Sequence, residues 1–399
     1  MTTPSMIADG ICIPASAFGP YDRQESAEPE AVRDPLPAAP IPLRWLVQPG
    51  AGRPAEPRRL LVHQSRFRVG DTLWLTPLLR AVRRAFPAAE VTVVAGPLAV
   101  PVLARSPHVS ALVVWDPPGG EAERRRVLDR LAETAFDTAL FVLARREKSR
   151  WLAEAVERRG VPCRVNLEYD DDALDGAPSH LFTHEGWSTW GTVASPRLLL
   201  HALEPWLGVG AWLDDRGVEL PVTADEDAAA ARALAAAGID GPFAVLAPAG
   251  HSSHRWPPER FADLAARLAG DLGWAVLVEG APADEPLLGD VVRRAGQPRV
   301  RAATDPLGVL AALLSRASLL VSNDSAPIHA AEAAGAPTLY FAQREKLVHS
   351  HPMGKACWAL YDDERNCLAD ISVEQVLGAA REMERRGLLR PARTIALHV

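Results

Sequence analysis

From Arg58 onward, short apolar runs alternate with longer stretches in which apolar residues recur every third or fourth position. "RRLLVHQ" reads as a buried strand, "SRFRVGD" as a loop, and "TLWLTPLLRAVRRAF" as a helix with Leu75, Leu78, Leu79, Val82 and Phe86 on one face. A strand "EVTVVAG", a helix near "AVPVLARS", a strand "SALVVWD", a helix over 121–134 and a strand "TALFVL" follow. The same rhythm restarts at "PFAVLAPAG": helix "PERFADLAARLAGDLG", strand "WAVLVEG", helix near 284–295, strand "RVRAAT", helix "DPLGVLAALLSRA", strand "SLLVSND" and a further helix. Strands alternating with helices predict parallel sheets covered on both faces.

Two stretches break the rhythm. Residues 1–57 carry 11 of the 35 prolines and little periodicity, which predicts an extended or disordered leader with a short docked piece around "IPLRWLV". Residues 160–240 are less regular. The expected organisation is therefore a leader over 1–57, an N-terminal α/β domain over 58–210, a C-terminal one over 211–385 and a tail over 386–399. Ligands of such sheets bind beyond the carboxyl ends of the strands, so two of them facing each other would form a cleft there.

Composition narrows the class. At 399 residues the chain is long enough for two cores. No secretory pattern and no membrane-spanning apolar run is evident, so a soluble cytoplasmic protein is expected. Four cysteines, Cys12, Cys163, Cys357 and Cys367, are scattered without a CxxC pair and suggest neither a zinc site nor a disulfide framework. Residues 58–159 hold 18 Lys and Arg against 11 Asp and Glu, an excess of +7 in a chain of net charge −7. A basic N-terminal half suits an acidic partner, although arginine on solvated helix faces accounts for it equally well. Neither a Walker A loop nor GxGxxG occurs, which argues against an ordinary NTPase or NAD enzyme. No nucleic-acid partner is expected.

Three stretches carry candidate chemistry. In "NDSAPIHAAEAAGAP", Asp324 or Ser325 can cap a helix, Pro327 fits its first turn and Gly335 can end it. That leaves His329 unexplained. Side chains lean toward a helix N-terminus, so His329, Ser325 and the first-turn N–H groups could converge on a phosphate. In "AGHSSHRW", Gly250 permits close backbone approach, Ser252 and Ser253 offer hydroxyls, and His254 and Arg255 offer positive charge ahead of a helix starting at Trp256 and Pro257. In "SRFRVGDTLWLTP", Asp71 reads either as a helix cap or as a carboxylate able to take a proton from an attacking hydroxyl. His180 and His184 have the i, i+4 spacing of helix ligands, but the flanking Pro178 and Gly186 and the missing HExxH argue against a metal site.

In this order and spacing, "SRFRVGDTLWLTPLLRAVRRAFP", "LAPAGHSSHRWPPERFADLAARL", "SNDSAPIHAAEAAGAPT" and the closing "CLADISVEQVLGAA" resemble the ADP-heptose heptosyltransferases of lipopolysaccharide synthesis, inverting glycosyltransferases of family 9. The resemblance runs from about residue 58 to 385. It implies a GT-B fold of two Rossmann-like domains with parallel sheets facing across a cleft, and the C-terminal one holding the nucleotide sugar. It implies Asp71 as base. It further implies that Asp324, Ser325, Ala326 and His329 hold the diphosphate, with Asn323, Gly250, Ser252 and Ser253 also binding the nucleotide sugar and His254 and Arg255 stabilising the leaving group. Glu279 and Asp284 lie near the acidic position that meets the ribose, and Arg66 and Arg68 face the acceptor. No cofactor or metal is implied beyond the ADP-sugar donor. The acceptor would be a glycan or lipid-linked glycan, most simply the lipopolysaccharide inner core, with transient contact at the inner-membrane surface. A soluble natural-product or sugar acceptor, or a non-catalytic nucleotide-sugar-binding protein, are the alternatives. Two positions depart from the family: His254 stands where Lys precedes Trp in Lys-x-Trp, and "FAQREK" replaces a Gly-Pro-Thr loop.

Overall fold

Strands buried on both faces of a parallel sheet read as near-continuous apolar runs, and "TALFV", "FAVLA", "AVLVE" and "LLVSN" each form a strand in which every residue is buried. The structure is a computed structural model that describes residues 5–7, 10–14, 32–33, 43–47, 51, 56–65, 68–142, 146–168, 180–188, 199–200, 203–204, 217–250, 255–344, 347, 352 and 356–390. In chain order the strands are β1 Ser5–Ile7, β2 Gly10–Pro14, β3 Val32–Arg33, β4 Leu43–Val47, β5 Arg59–His63, β6 Glu90–Ala95, β7 Ala111–Val114, β8 Thr138–Val142, β9 Cys163–Glu168, β10 His184–Ser188, β11 Phe243–Ala247, β12 Ala275–Glu279, β13 Val300–Ala303, β14 Leu319–Asn323, β15 Thr338–Phe341 and β16 Cys357–Tyr361. The helices are α1 Val69–Ala85, α2 Val100–Leu103, α3 Gly120–Ala132, α4 Arg146–Arg158, α5 Ala224–Ala236, α6 Pro258–Gly270, α7 Glu285–Ala295, α8 Leu307–Leu314, α9 Ala326–Ala334 and α10 Val373–Arg385.

The chain divides into two units, Pro37–Pro221, and Met1–Leu36 together with Val222–Val399. The first holds a sheet of order β4-β10-β9-β8-β5-β6-β7, parallel except for β4. The second holds β13-β12-β11-β14-β15-β16-β2-β1-β3, parallel from β13 to β2, with β1 antiparallel to β2. Both are Rossmann-like.

The stretch 1–57, expected to be an extended or disordered leader, contributes strands to both sheets. Its "GICIP" pairs with β16, and "LRWLV", the piece expected to dock, pairs with β10. The physical reason is that β16 and β10 would otherwise leave a row of unpaired N–H and C=O groups. Proline-rich flanks conceal two short runs able to cover those edges.

Helix α1 tolerates Pro77 because the carbonyl a residue-77 N–H would have bonded, that of Leu73, accepts from the Thr76 hydroxyl at 2.7 Å. The same hydroxyl accepts from the Glu219 N–H at 2.7 Å. In the second unit, Trp256 is fully buried, stacks on Phe341 with centroids 4.4 Å apart, and donates its indole N–H to the Ile371 carbonyl at 2.9 Å. Arg390 donates to the Leu314 and Ala334 carbonyls at 3.1 and 2.8 Å, and also to those of Ser315 and Gly335. One guanidinium thus satisfies the C-terminal carbonyls of both α8 and α9, whose own chain turns away at Gly335 with φ 62°.

Candidate active site

Strand β14 delivers Asn323 to the carboxyl edge of its sheet, and the amide is consumed there. Its Oδ1 accepts from the Trp256 N–H at 2.7 Å and its Nδ2 donates to the Pro248 carbonyl at 2.8 Å. Asn323, expected to touch the nucleotide sugar, ties the loop after β11 to the start of α9 through both ends of a fully buried amide. Gly250 lies against this staple. A Cβ there would stand 3.3 Å from the Asn323 Cβ, 3.7 Å from the Arg255 Cγ and 4.0 Å from the Ser325 Cβ. Only glycine lets these two loops close up, and the closure brings Gly250, Arg255 and Ser325 together.

Ser325 occupies the N-cap of α9 in an extended conformation, but its side chain makes no capping bond. Its hydroxyl instead donates to the Asn323 carbonyl at 3.2 Å and lies 3.4 Å from the Ser322 hydroxyl. Pro327, in the first turn, has no N–H to satisfy. The remaining first-turn N–H groups are not taken by the cap side chain, and with the helix dipole they favour an anion. Asp324 and Ala326 flank the cap, half-buried.

His329 is buried one turn in, and its Nδ1 lies 3.5 Å from the Glu332 Oε2, both side chains being at most 4% exposed. That separation is at the long limit of a hydrogen bond. Sequence reading passed over Glu332; the signal was an acid three residues after a histidine in an otherwise alanine-rich helix.

Glu279 ends β12 at the same edge. Burial, and then the neighbouring Asp305 carboxyl, push its pKa up to about 8, and its Oε1 has no hydrogen-bond partner. Both causes favour the protonated acid, the form that can donate to a ligand oxygen. Asp305 was not anticipated. Asp284 accepts from the Ala281 N–H at 3.0 Å and so orders the turn into α7.

In the other unit, Asp71 lies in the first turn of α1, 9% exposed, while the N-cap is Arg68. The reading of Asp71 as the cap of this helix is corrected by three residues. A carboxylate in the first turn is favoured by the dipole without capping. Arg68 is exposed. Arg66, Ser252, Ser253 and His254 lie outside the described residues. His180 sits in a turn and His184 opens β10, so their helix spacing is not realised. Among the described residues no group of three or more His, Cys, Asp or Glu is placed to hold a metal, and no helix is long and apolar enough to cross a membrane.

Comparison with solved structures finds the same architecture. A glycosyl transferase family 9 protein from Veillonella parvula superposes with TM-score 0.68 at 20% identity, over 82% of this chain and 97% of that one. ADP-heptose lps heptosyltransferase II of E. coli gives 0.64 at 20%, over 82% and 99%. E. coli heptosyltransferase WaaC with ADP gives 0.61 at 18%, over 81% and 99%. Both sheets therefore belong to the GT-B fold. Comparison with curated proteins gives no match. The sequence profile of glycosyltransferase family 9 (heptosyltransferase) matches residues 201–380, the stretch containing the Asn323 staple, Arg255 and the start of α9.

Proposed function

We propose that the protein transfers heptose from ADP-heptose to a hydroxyl of a sugar acceptor of the lipopolysaccharide inner-core kind, with inversion. The observation that carries this is the start of α9: a helix N-terminus without a side-chain cap, with Arg255 beside Gly250, inside a family 9 domain. Fixed N–H dipoles and a guanidinium suit a diphosphate both in the bound donor and as the leaving group. His329 and Ser325 line the same turn. Asp71 acts as general base on the acceptor hydroxyl, which attacks the anomeric carbon from the face opposite ADP in one displacement. Arg66 and Arg68, five and three positions before Asp71 in the sequence, meet the acceptor. The donor is the one named for heptosyltransferase II, and WaaC is described with ADP.

The test is calorimetric titration with ADP, UDP and GDP, followed by nucleotide release from ADP-heptose with and without acceptor, in the presence and absence of EDTA. ADP-selective binding and acceptor-dependent, EDTA-insensitive release are expected. Absence of ADP binding would sink the donor assignment; binding without release for any acceptor would sink transfer.

A further inference from the structure

The carboxyl edge of the sheet in Pro37–Pro221 holds polar side chains that the protein itself does not use. Gln64, the residue after β5, is fully buried, and neither its Oε1 nor its Nε2 has a partner. His63 is fully buried too. Its Nδ1 lies 3.0 Å from the Val94 carbonyl, an acceptor only, so Nδ1 carries the hydrogen and Nε2 presents a lone pair, which is unpartnered. Asn166 in β9 is 2% exposed, and its Nδ2 is likewise unpartnered. Buried polar groups are ordinarily paired, so four unsatisfied atoms at one sheet edge call for a ligand.

Register places these groups. His63 pairs with Phe141, Phe141 with Asn166, and Asn166 with Glu185, so the four share one face along a row across β5, β8, β9 and β10. With strands about 4.8 Å apart, His63 and Asn166 stand about 10 Å apart at the backbone, a span that one or two sugar rings cover. The rings of Trp115 and Phe141, both buried, lie 5.8 and 5.5 Å from the imidazole. An apolar lining with a few polar groups is the make-up of small-molecule sites.

We propose that Gln64, His63 and Asn166 recognise the acceptor unit bearing the attacking hydroxyl, and that this unit is an uncharged polyol rather than a phosphate or carboxylate ester. The assignment rests on the reading of the protein as a transferase to a sugar. Its argument is the balance of donors and acceptors. Gln64 Nε2 and Asn166 Nδ2 donate; Gln64 Oε1 and His63 Nε2 accept. A hydroxyl both donates and accepts and can satisfy all of them. A phosphate or carboxylate only accepts, and would set its oxygens against two lone pairs. Burial holds the His63 pKa down at about 4, so the ring adds no cation, and Glu185 adds a carboxyl group to the row. Gln64 also opens the loop that leads to Asp71, which brings recognition and base onto one strand-loop-helix segment.

The experiment uses Gln64→Met and Asn166→Leu, which keep the volume and remove the polar atoms. Full-length wild type and variants are probed by saturation-transfer NMR with a methyl heptoside and its monophosphate, by thermal melting, and by calorimetry with ADP. Expected are heptoside binding by wild type, at least tenfold weaker in both variants, no advantage for the phosphate ester, an unchanged or raised melting temperature, and unchanged ADP affinity. A buried amide without a protein partner is a liability to the fold, so its removal should not destabilise. Heptoside binding absent in wild type or unchanged in the variants, tighter binding of the phosphate ester, or a lowered melting temperature in both variants would overturn the proposal. Failure of wild type to bind ADP would strike the donor reading alone, since the heptoside titration contains no nucleotide.

Discussion

The two sheets share an architecture and differ in how their carboxyl edges are furnished. In the unit containing β11–β16, the polar side chains are spent on the protein: Asn323 staples two loops and Ser325 donates to a carbonyl. On the proposed reading, what remains for a ligand is a set of donors, namely backbone N–H groups at the start of α9, Arg255 and the Glu279 carboxyl, whose pKa is raised by burial and by Asp305. In the unit containing β4–β10, Gln64, His63 and Asn166 keep side-chain atoms that no protein group satisfies, as neutral donors and acceptors. The contrast matches the two substrates a transferase must hold. A diphosphate leaving group needs preorganised dipoles that do not reorganise as charge develops. A hydroxyl-rich acceptor needs matched hydrogen bonds.

Breaking each side separately tests the contrast. The largest effect is expected for Asp71→Asn, which removes the base but leaves the donor site in the other unit untouched. Turnover should fall by ~10²–10⁴-fold with ADP affinity unchanged. Wild-type turnover in this variant would remove Asp71 from the role. Arg255→Ala should cost on the order of 10²-fold in kcat/KM for the donor, with Arg255→Lys recovering part of it. The acceptor KM should not move; a rise there instead would blur the division between the edges.

Asn323→Ala asks whether the staple comes before the site. It strands the Trp256 N–H and the Pro248 carbonyl, and each buried unpaired group costs ~1–3 kcal/mol. Melting should drop by roughly 5–10 °C, and ADP affinity should fall with it even though Asn323 touches no ligand in this account. Unchanged melting would mean that the loops are held together by other contacts.

Much of this was legible in the sequence, and what was missed has a common cause. The apolar runs announced β11, β12 and β14, and the helix punctuation announced α9, with Pro327 in its first turn and Gly335 at its end, because these signals are local. Asn323 was legible as a polar residue after a strand but not as a staple, since its partners lie 75 and 67 positions away. Strand pairing by "GICIP" was hidden for the same reason: its partner β16 is more than 340 residues on. Gln64 and Asn166 look like ordinary strand-end residues until burial shows that nothing in the protein satisfies them.

The smallest effect, and the most specific, concerns the one proton that the donor edge is expected to hold. The Glu279 pKa is raised from its ordinary 4.5 to about 8 by burial and by Asp305. In the unfolded chain the group loses its proton near its ordinary value. The folded state therefore keeps a proton that the unfolded state releases, so the contribution to stability is complete below pH 4.5 and is lost as pH rises through 8. Glu279→Gln is neutral at every pH and should lack this slope, at most about 1.4 kcal/mol per pH unit. His63 slopes the other way, its stabilisation being lost as pH falls from 6.5 toward 4, but it is common to both proteins and cancels in the difference. Melting curves of wild type and Glu279→Gln from pH 5 to 8 should diverge as pH rises, in favour of the variant. Parallel curves would mean that Glu279 is ionised in the folded protein, and the donor edge would then present a negative charge beside its cationic groups in place of a hydrogen-bond donor.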